Sequence, residues 1–151
     1  MIKKIFLFLV ILITFSNCGF SPISKKNLNL NYNIIVEETQ GDAEINNLIK
    51  MQLENYSLTS SDKKLSIIIR SDYDKEIIGK DAKGNASDFR LKINSNFTII
   101  KDQNNKQIFI SKNFVMKKLN QNFQQQNYEN EIKKNLTKAV VDQLMKEINF
   151  F

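Results

Sequence analysis

Between Phe89 and Ile99 the apolar residues Phe89, Leu91, Ile93, Phe97 and Ile99 fall on one parity of position, while Arg90, Lys92, Asn94, Asn96 and Thr98 fall on the other. Only an extended chain turns alternate side chains to opposite sides, so this segment predicts a long strand with one apolar and one polar face. The pattern resumes with Ile108, Ile110, Phe114 and Met116, which alternate with Phe109, Ser111, Asn113, Val115 and Lys117. A turn over Asp102–Asn105 that closes with Lys101 facing Lys106 pairs Ile99 with Ile108, Phe97 with Ile110, Ile93 with Phe114 and Leu91 with Met116. That register sets Asn94 against Asn113, Asn96 against Ser111 and Arg90 against Lys117, which predicts a second face that is uncharged-polar in the middle and basic at one end. Lys112 falls on the apolar side opposite Ser95, a misfit that marks either the rim of the core or an error of register.

The flanking segments supply what such a hairpin needs to bury its apolar face. Ile34-Ile35-Val36 is a short β-branched run that suits a strand, and Gln40-Gly41-Asp42 reads as a turn. Asp42 suits a helix N-cap, and Ile45, Leu48, Ile49, Gln52, Leu53 and Tyr56 recur at helical spacing, so a helix is predicted from Asp42 to about Asn55. Leu65 to Arg70 is rich in β-branched residues and predicts a strand, with Ile77-Ile78 as its far end beyond Asp72-Tyr73-Asp74. Gly79 to Ser87 reads as a turn region and Leu119 to Asn127 as a polar bridge. From about Asn127, Ile132, Leu136, Ala139, Val140, Gln143, Leu144, Glu147 and Ile148 mark a second helix, with Lys146 in its last turns complementing the dipole. The order βαβββα predicts an α+β fold in which two helices pack on one face of a mainly antiparallel four-stranded sheet. The other face is left to solvent or to a partner.

The N-terminus follows a different logic. Lys3 and Lys4 precede an unbroken apolar run from Ile5 to Ile13, and Phe15-Ser16-Asn17 leads into Cys18, the only cysteine of the chain. These are the parts of a secretory signal, with an apolar run too short to span a bilayer as a mature helix. The end of the run resembles a bacterial lipoprotein signal, in which an apolar residue and two small residues precede a cysteine that receives diacylglycerol. Phe15 stands where leucine is usual and Asn17 where glycine or alanine is usual. The resemblance implies Cys18 as the lipid-attachment residue, and two or three acyl chains there make a firm membrane tether. The open alternatives are an ordinary signal peptide with a buried thiol and an uncleaved signal anchor. On the lipoprotein reading, residues 1–17 are the signal peptide, 18–33 a lipidated tether with the single proline, Pro22, and 34–151 one α+β domain.

Composition narrows the chemistry. Histidine and tryptophan are absent, and an acylated Cys18 leaves no thiol, which removes the commonest general base, the commonest zinc ligands and the cysteine nucleophile. Glu37-Glu38 and Asp72/Asp74 are the nearest thing to paired carboxylates, with no ligand set or glycine-rich phosphate loop beside them. Neither catalytic residues nor metal ligands nor a cofactor are expected. Removing Lys3 and Lys4 leaves 20 basic against 16 acidic residues, a mature balance of +4. Such a surface is either solvated lysine or a face that meets anionic lipid or phosphate. No nucleic-acid partner is expected.

The mature start Cys18-Gly19-Phe20-Ser21-Pro22-Ile23 resembles the Cys-Gly-Phe-x-Pro-Leu-Tyr opening of the LptE family, the lipoproteins of lipopolysaccharide transport, especially its alphaproteobacterial members. Size, element order and a final helix preceded by Tyr128 are similar too, whereas Ser24 stands where the family often has tyrosine. The resemblance implies a lipid-anchored, periplasm-facing protein of the outer membrane that plugs an LptD-like β-barrel, helps assemble it and assists lipopolysaccharide delivery to the cell surface. A plug in a polar lumen should present hydrogen-bonding groups, as Asn94, Asn96, Thr98, Ser111 and Asn113 do. Arg90, Lys92 and Lys117 are then the candidate contacts to the anionic head group of lipopolysaccharide. Their competing reading is a solvated sheet edge. The rival functions are a lipoprotein accessory of another envelope assembly, in barrel insertion or secretion, and a periplasmic ligand-binding or inhibitor module. Gly19, in place of the aspartate that commonly retains lipoproteins in the inner membrane, favours outer-membrane delivery.

Overall fold

The computed structural model describes residues 32–102 and 104–149. The expected signal segment, Cys18, the Cys18–Ile23 opening and most of the expected tether lie outside the described residues. The chain runs β1 (Asn33–Gly41), α1 (Ala43–Glu54), β2 (Lys64–Lys80), β3 (Ala86–Lys101), β4 (Asn104–Lys117) and α2 (Asn122–Asn149). The strands lie in the order β1-β2-β3-β4. Both β2–β3 and β3–β4 are antiparallel hairpins, whereas β1 and β2 are parallel, joined through α1, so the sheet is mixed. A strand followed by one helix and a second strand returns to the starting edge and pairs parallel.

Local chemistry accounts for the joints. Asp42 holds extended backbone angles and its Oδ1 accepts the Ile45 N–H at 2.9 Å, which starts α1. Gly41 sits at φ 86°, and a Cβ there would lie 2.1 Å from the Ser71 carbonyl oxygen. The end of β1 can therefore lie this close to β2 only with glycine. In the β2–β3 turn, Asp81 Oδ1 accepts the N–H groups of Lys83 and Asn85, both at 2.9 Å, and Gly84 takes φ 83°. The backbone N–H of Asn85, its side chain and the Lys83 N–H hold the exposed Asp81 carboxyl below its ordinary range.

Both helices lie on one face. Ile45, Ile49 and Leu53 of α1 and Ile132, Leu136, Val140, Val141, Leu144, Met145 and Ile148 of α2 close over Leu65, Ile67 and Ile69 of β2, Leu91, Ile93, Phe97 and Ile99 of β3, and Ile108, Ile110 and Met116 of β4. Ile34 and Val36 of β1 pack against this cluster from the side. Apolar area removed from water is the main favourable term in holding such layers together. One buried polar link crosses the core: Ser71 Oγ donates to Asn46 Oδ1 at 2.7 Å, and Asn46 Nδ2 donates to the Gln40 carbonyl at 2.8 Å. Ser95 Oγ and Thr137 Oγ1 are buried and find no hydrogen-bond partner among the described residues.

Three expectations shift. The β3–β4 register differs by two residues: Lys101 faces Asn104, Phe97 faces Ile108, Leu91 faces Phe114 and Phe89 faces Met116. The paired Lys101 and Asn104 lie three apart in sequence rather than five as Lys101 and Lys106 would, and Asp102 takes φ 55°, a left-handed conformation aspartate tolerates. A slip of two keeps every side chain on its predicted face, which is why the faces stand while the partners change. The second difference is in β2, which is continuous through Asp72-Tyr73-Asp74 and spans 17 residues. The third is α2, which begins at Asn122 and not near Asn127. Its first turn carries no apolar stripe because it overhangs the core, with Phe123 74% exposed. It is fastened instead by Gln125, whose Oε1 accepts the Leu119 N–H at 2.6 Å.

Candidate functional site

With both helices on one side, the opposite face of the sheet is open, and it is here that the sequence-predicted residues gather. β3 contributes Arg90, Lys92, Asn94, Asn96 and Thr98, and β4 contributes Ser111, Asn113 and Lys117, all on the side away from the core. Ser111 Oγ donates to Asn94 Oδ1 at 2.8 Å, a cross-strand link in the middle of the face. Lys92 lies opposite Asn113, and Thr98 opposite Gln107. The uncharged-polar centre is thus assembled from two strands.

The basic end is different from the one the β3–β4 hairpin predicts. β2 runs alongside β3 with Glu76 opposite Arg90, Asp74 opposite Lys92 and Asp72 opposite Asn94. Arg90 Nη1 reaches Glu76 Oε2 at 3.1 Å in an exposed ion pair. Lys117 lies opposite Asp88, not opposite Arg90. Each candidate cation therefore has a carboxylate across the strand, and the end of the face is charge-balanced. Asp74, Glu76, Arg90 and Lys92 line a shallow open depression of about 410 Å³. The sequence signal for this was the i, i+2 run Asp72, Asp74, Glu76, whose alternation becomes visible once β2 is continuous. The face also carries apolar groups: Ile68 and Ile100 on one flank, and on β4 Phe109 opposite Asn96 and Val115 opposite Arg90. Phe109 is 66% exposed and Val115 52%.

The helix-bearing side holds the titratable cluster. Tyr73 of β2 donates its hydroxyl to Glu129 Oε1 at 2.7 Å, and Lys75 donates to Glu129 Oε2. Burial, and then the Glu129 hydrogen bond, push the Tyr73 hydroxyl far above the ordinary phenol range. Burial works against the Glu129 charge, but hydrogen bonds from Lys75 and Tyr73 outweigh it and hold this carboxyl below the ordinary glutamate range. Lys133 spans Glu44 of α1, 2.6 Å away, and the Tyr73 ring, 4.6 Å from its centroid. These contacts fasten α2 to β2 and α1.

Of the paired carboxylates, Glu38 accepts from Gln40 on β1, while Asp72 and Asp74 belong to the open face. Among the described residues no group of three or more metal-ligating side chains converges, and no helix is long and apolar enough to cross a membrane.

No family model matches this chain, and no curated protein matches it. Solved structures do. Rare lipoprotein B from Shewanella oneidensis superposes with a TM-score of 0.59 at 9% identity, covering 78% of this chain and 92% of that one. A putative lipoprotein from Caulobacter crescentus superposes with a TM-score of 0.54 at 9% identity, covering 76% and 88%. The chain has the fold of these two lipoproteins, two helices on one face of a four-stranded βαβββα sheet.

Proposed function

We infer that this chain is an LptE-type lipoprotein of the outer membrane, anchored through lipid on Cys18, which plugs and helps assemble an LptD-like β-barrel and assists lipopolysaccharide delivery to the surface. The observation that carries the reading is the βαβββα fold shared with rare lipoprotein B over 92% of that chain's length. The Cys18-Gly19-Phe20-Ser21-Pro22-Ile23 opening points the same way. An open sheet face with Asn94, Asn96, Thr98, Ser111 and Asn113 at its centre suits the polar lumen of a barrel, where every docked group must find hydrogen bonds.

Arg90, Lys92 and Lys117 are the proposed contacts to the phosphates of lipopolysaccharide. A phosphate approaching Arg90 competes with Glu76 for the guanidinium, and succeeds by offering a doubly charged, multidentate acceptor. Charge reversal at Arg90 and Lys92 together should weaken lipopolysaccharide binding more than reversal at Lys63 and Lys64. Equal loss at both places removes the assignment.

The deciding experiment is a mild-detergent pull-down of the tagged protein from outer membranes, with mass spectrometry of the partners and of the N-terminal peptide. The reading expects an LptD-like barrel in equal amount and a diacylglyceryl group on Cys18. A different barrel, or an acylated chain with no barrel, overturns the lipopolysaccharide-transport role.

A further inference from the structure

The last strand of the sheet, β4, has β3 on one side. Among the described residues β4 pairs with β3 alone. The Lys118 N–H donates to the Ser87 carbonyl at 2.8 Å, in the same register that places Lys117 opposite Asp88. This sets the phase of the ladder. In an antiparallel pair alternate opposed residues exchange both bonds, so the even-numbered residues of β4 point their backbone at β3. The odd-numbered residues from Asn105 to Lys117 turn their N–H and C=O groups outward. Phe109, Ser111, Asn113 and Val115 form the middle of that outward row, and all four are exposed.

The edge strand itself and the segment that follows it carry charge of one sign. From residue 103 to residue 128 the chain holds Lys106, Lys112, Lys117 and Lys118 and no aspartate or glutamate. Lys106 donates to the Glu147 carbonyl and Lys117 has Asp88 across the strand, but Lys112 stands opposite Ile93. Lys112 is on the helix-bearing side between Ile110, which is buried, and Phe114, which is 42% exposed. Both rims of the edge thus pair a cation with an exposed apolar group: Lys112 with Phe114 on one side, Lys117 with Val115 on the other.

We propose that the outward edge of β4 accepts an extended acidic segment of another polypeptide, which adds a fifth strand to the sheet. Main-chain hydrogen bonds to the odd-numbered residues supply the attachment, and acidic side chains beside Lys112 and Lys117 supply the selectivity. A second copy of this chain is the wrong occupant. β4 carries Lys106, Lys112 and Lys117 and no acid of its own, so a second β4 offers this edge no opposite charge, and a charge at an edge is a common device against such self-pairing. The edge is the same whichever barrel the chain meets, because a closed barrel offers no free strand of its own and the segment has to come from a loop or a terminus.

The test uses the full chain in neutral detergent and a synthetic peptide of alternating Glu and Val/Thr, with its Lys-for-Glu counterpart as control. Amide hydrogen exchange is read residue by residue. The acidic peptide is expected to slow the amides of Phe109, Ser111, Asn113 and Val115 by about tenfold, the order of one net backbone hydrogen bond, while the even-numbered amides, already bonded to β3, change little. The Lys peptide is expected to do nothing. Asn113→Pro removes an outward donor without touching the β3 ladder and should abolish the effect with thermal unfolding little changed. Lys112→Glu, which leaves the backbone intact, should reverse the preference between the two peptides. No slowing at the odd-numbered amides, equal slowing by both peptides, or slowing produced by phosphatidylglycerol vesicles and not by the acidic peptide overturns the proposal.

Discussion

The hydroxyl of Tyr73, in the middle of β2, donates to the carboxylate of Glu129 at 2.7 Å across 56 residues of sequence, in a half-buried site shared with Lys75. A helix turn that buries little apolar surface is held to the sheet by this polar contact. Glu129→Gln is expected to lower stability by about 1–2 kcal/mol at neutral pH, the range for a hydrogen bond to a charged group. The sign of the pH dependence follows from the lowered carboxyl. The folded chain binds the proton less readily than the unfolded one, so the Glu129 contribution is present above about pH 4.3, the ordinary glutamate value, and fades as pH falls through the folded value. Urea midpoints measured at neutral and at acid pH should differ between wild type and variant in the first condition and converge in the second.

Tyr56 runs the other way. Its hydroxyl donates to Asp142 Oδ1 at 2.6 Å, and burial, followed by that hydrogen bond, pushes it up to about 12. A raised phenol stabilises the fold fully below about pH 10, the ordinary tyrosine value, and loses that contribution as pH rises toward 12. Tyr56→Phe should cost about 1 kcal/mol at neutral pH and shallow the alkaline limb of the stability curve. Thermal unfolding across the alkaline range gives both numbers.

Two glycines with the same backbone angle should respond differently to one methyl group. Gly41 and Gly84 take φ 86° and 83°, but a Cβ at Gly41 lands on the Ser71 carbonyl while one at Gly84 meets nothing within 4 Å. Gly84→Ala is expected to cost about 1 kcal/mol of conformational strain, and Gly41→Ala more than about 2 kcal/mol because β1 must move off β2. Denaturant titration of both variants separates strain from collision.

Buried hydroxyls and amides should sort by whether they are bonded. Asn46→Ala leaves Ser71 Oγ and the Gln40 carbonyl without their partner and is expected to cost about 2 kcal/mol or more. Ser95→Ala removes a buried oxygen that has no partner, and should leave the melting temperature unchanged or raise it.

The register of β3 and β4 is open to a chemical check in a Cys18→Ser background. Asn94 and Ser111 are directly opposed on the open face and, by the phase of the ladder, form a non-hydrogen-bonded pair with close Cβ atoms. Cysteines at these two positions should oxidise to an intramolecular disulfide, seen as the loss of two hydrogens in the intact mass. Cysteines at Asn94 and Asn113 should remain reduced under the same mild oxidant.

Much of this fold is legible in side-chain periodicity, because each element buries one face. Alternation at Phe89–Ile99 and Ile108–Met116 and helical spacing at Ile45–Leu53 and Ile132–Ile148 are direct images of what faces the core. Lys112 shows the limit: its side of the sheet follows from parity alone, but its neighbour, Ile93 and not Ser95, depends on the turn at Asp102. The first turn of α2 left no apolar trace, since Phe123 points to solvent and Gln125 does the fastening.

The number, order and buried faces of the elements follow from the residue pattern, as do the absence of histidine and the single cysteine that bound the chemistry. Those properties are local, set by what each residue pair can bury or bond within a few positions. The charge of the open face arises from strand pairing instead, because Glu76 lies opposite Arg90 and Asp74 opposite Lys92 on two different strands. The polar link Tyr73–Glu129, which closes the far end of the helix layer, likewise joins residues 56 positions apart. Coulomb energy depends on distance in space, and in a hairpin that distance is fixed by register, which no periodicity encodes.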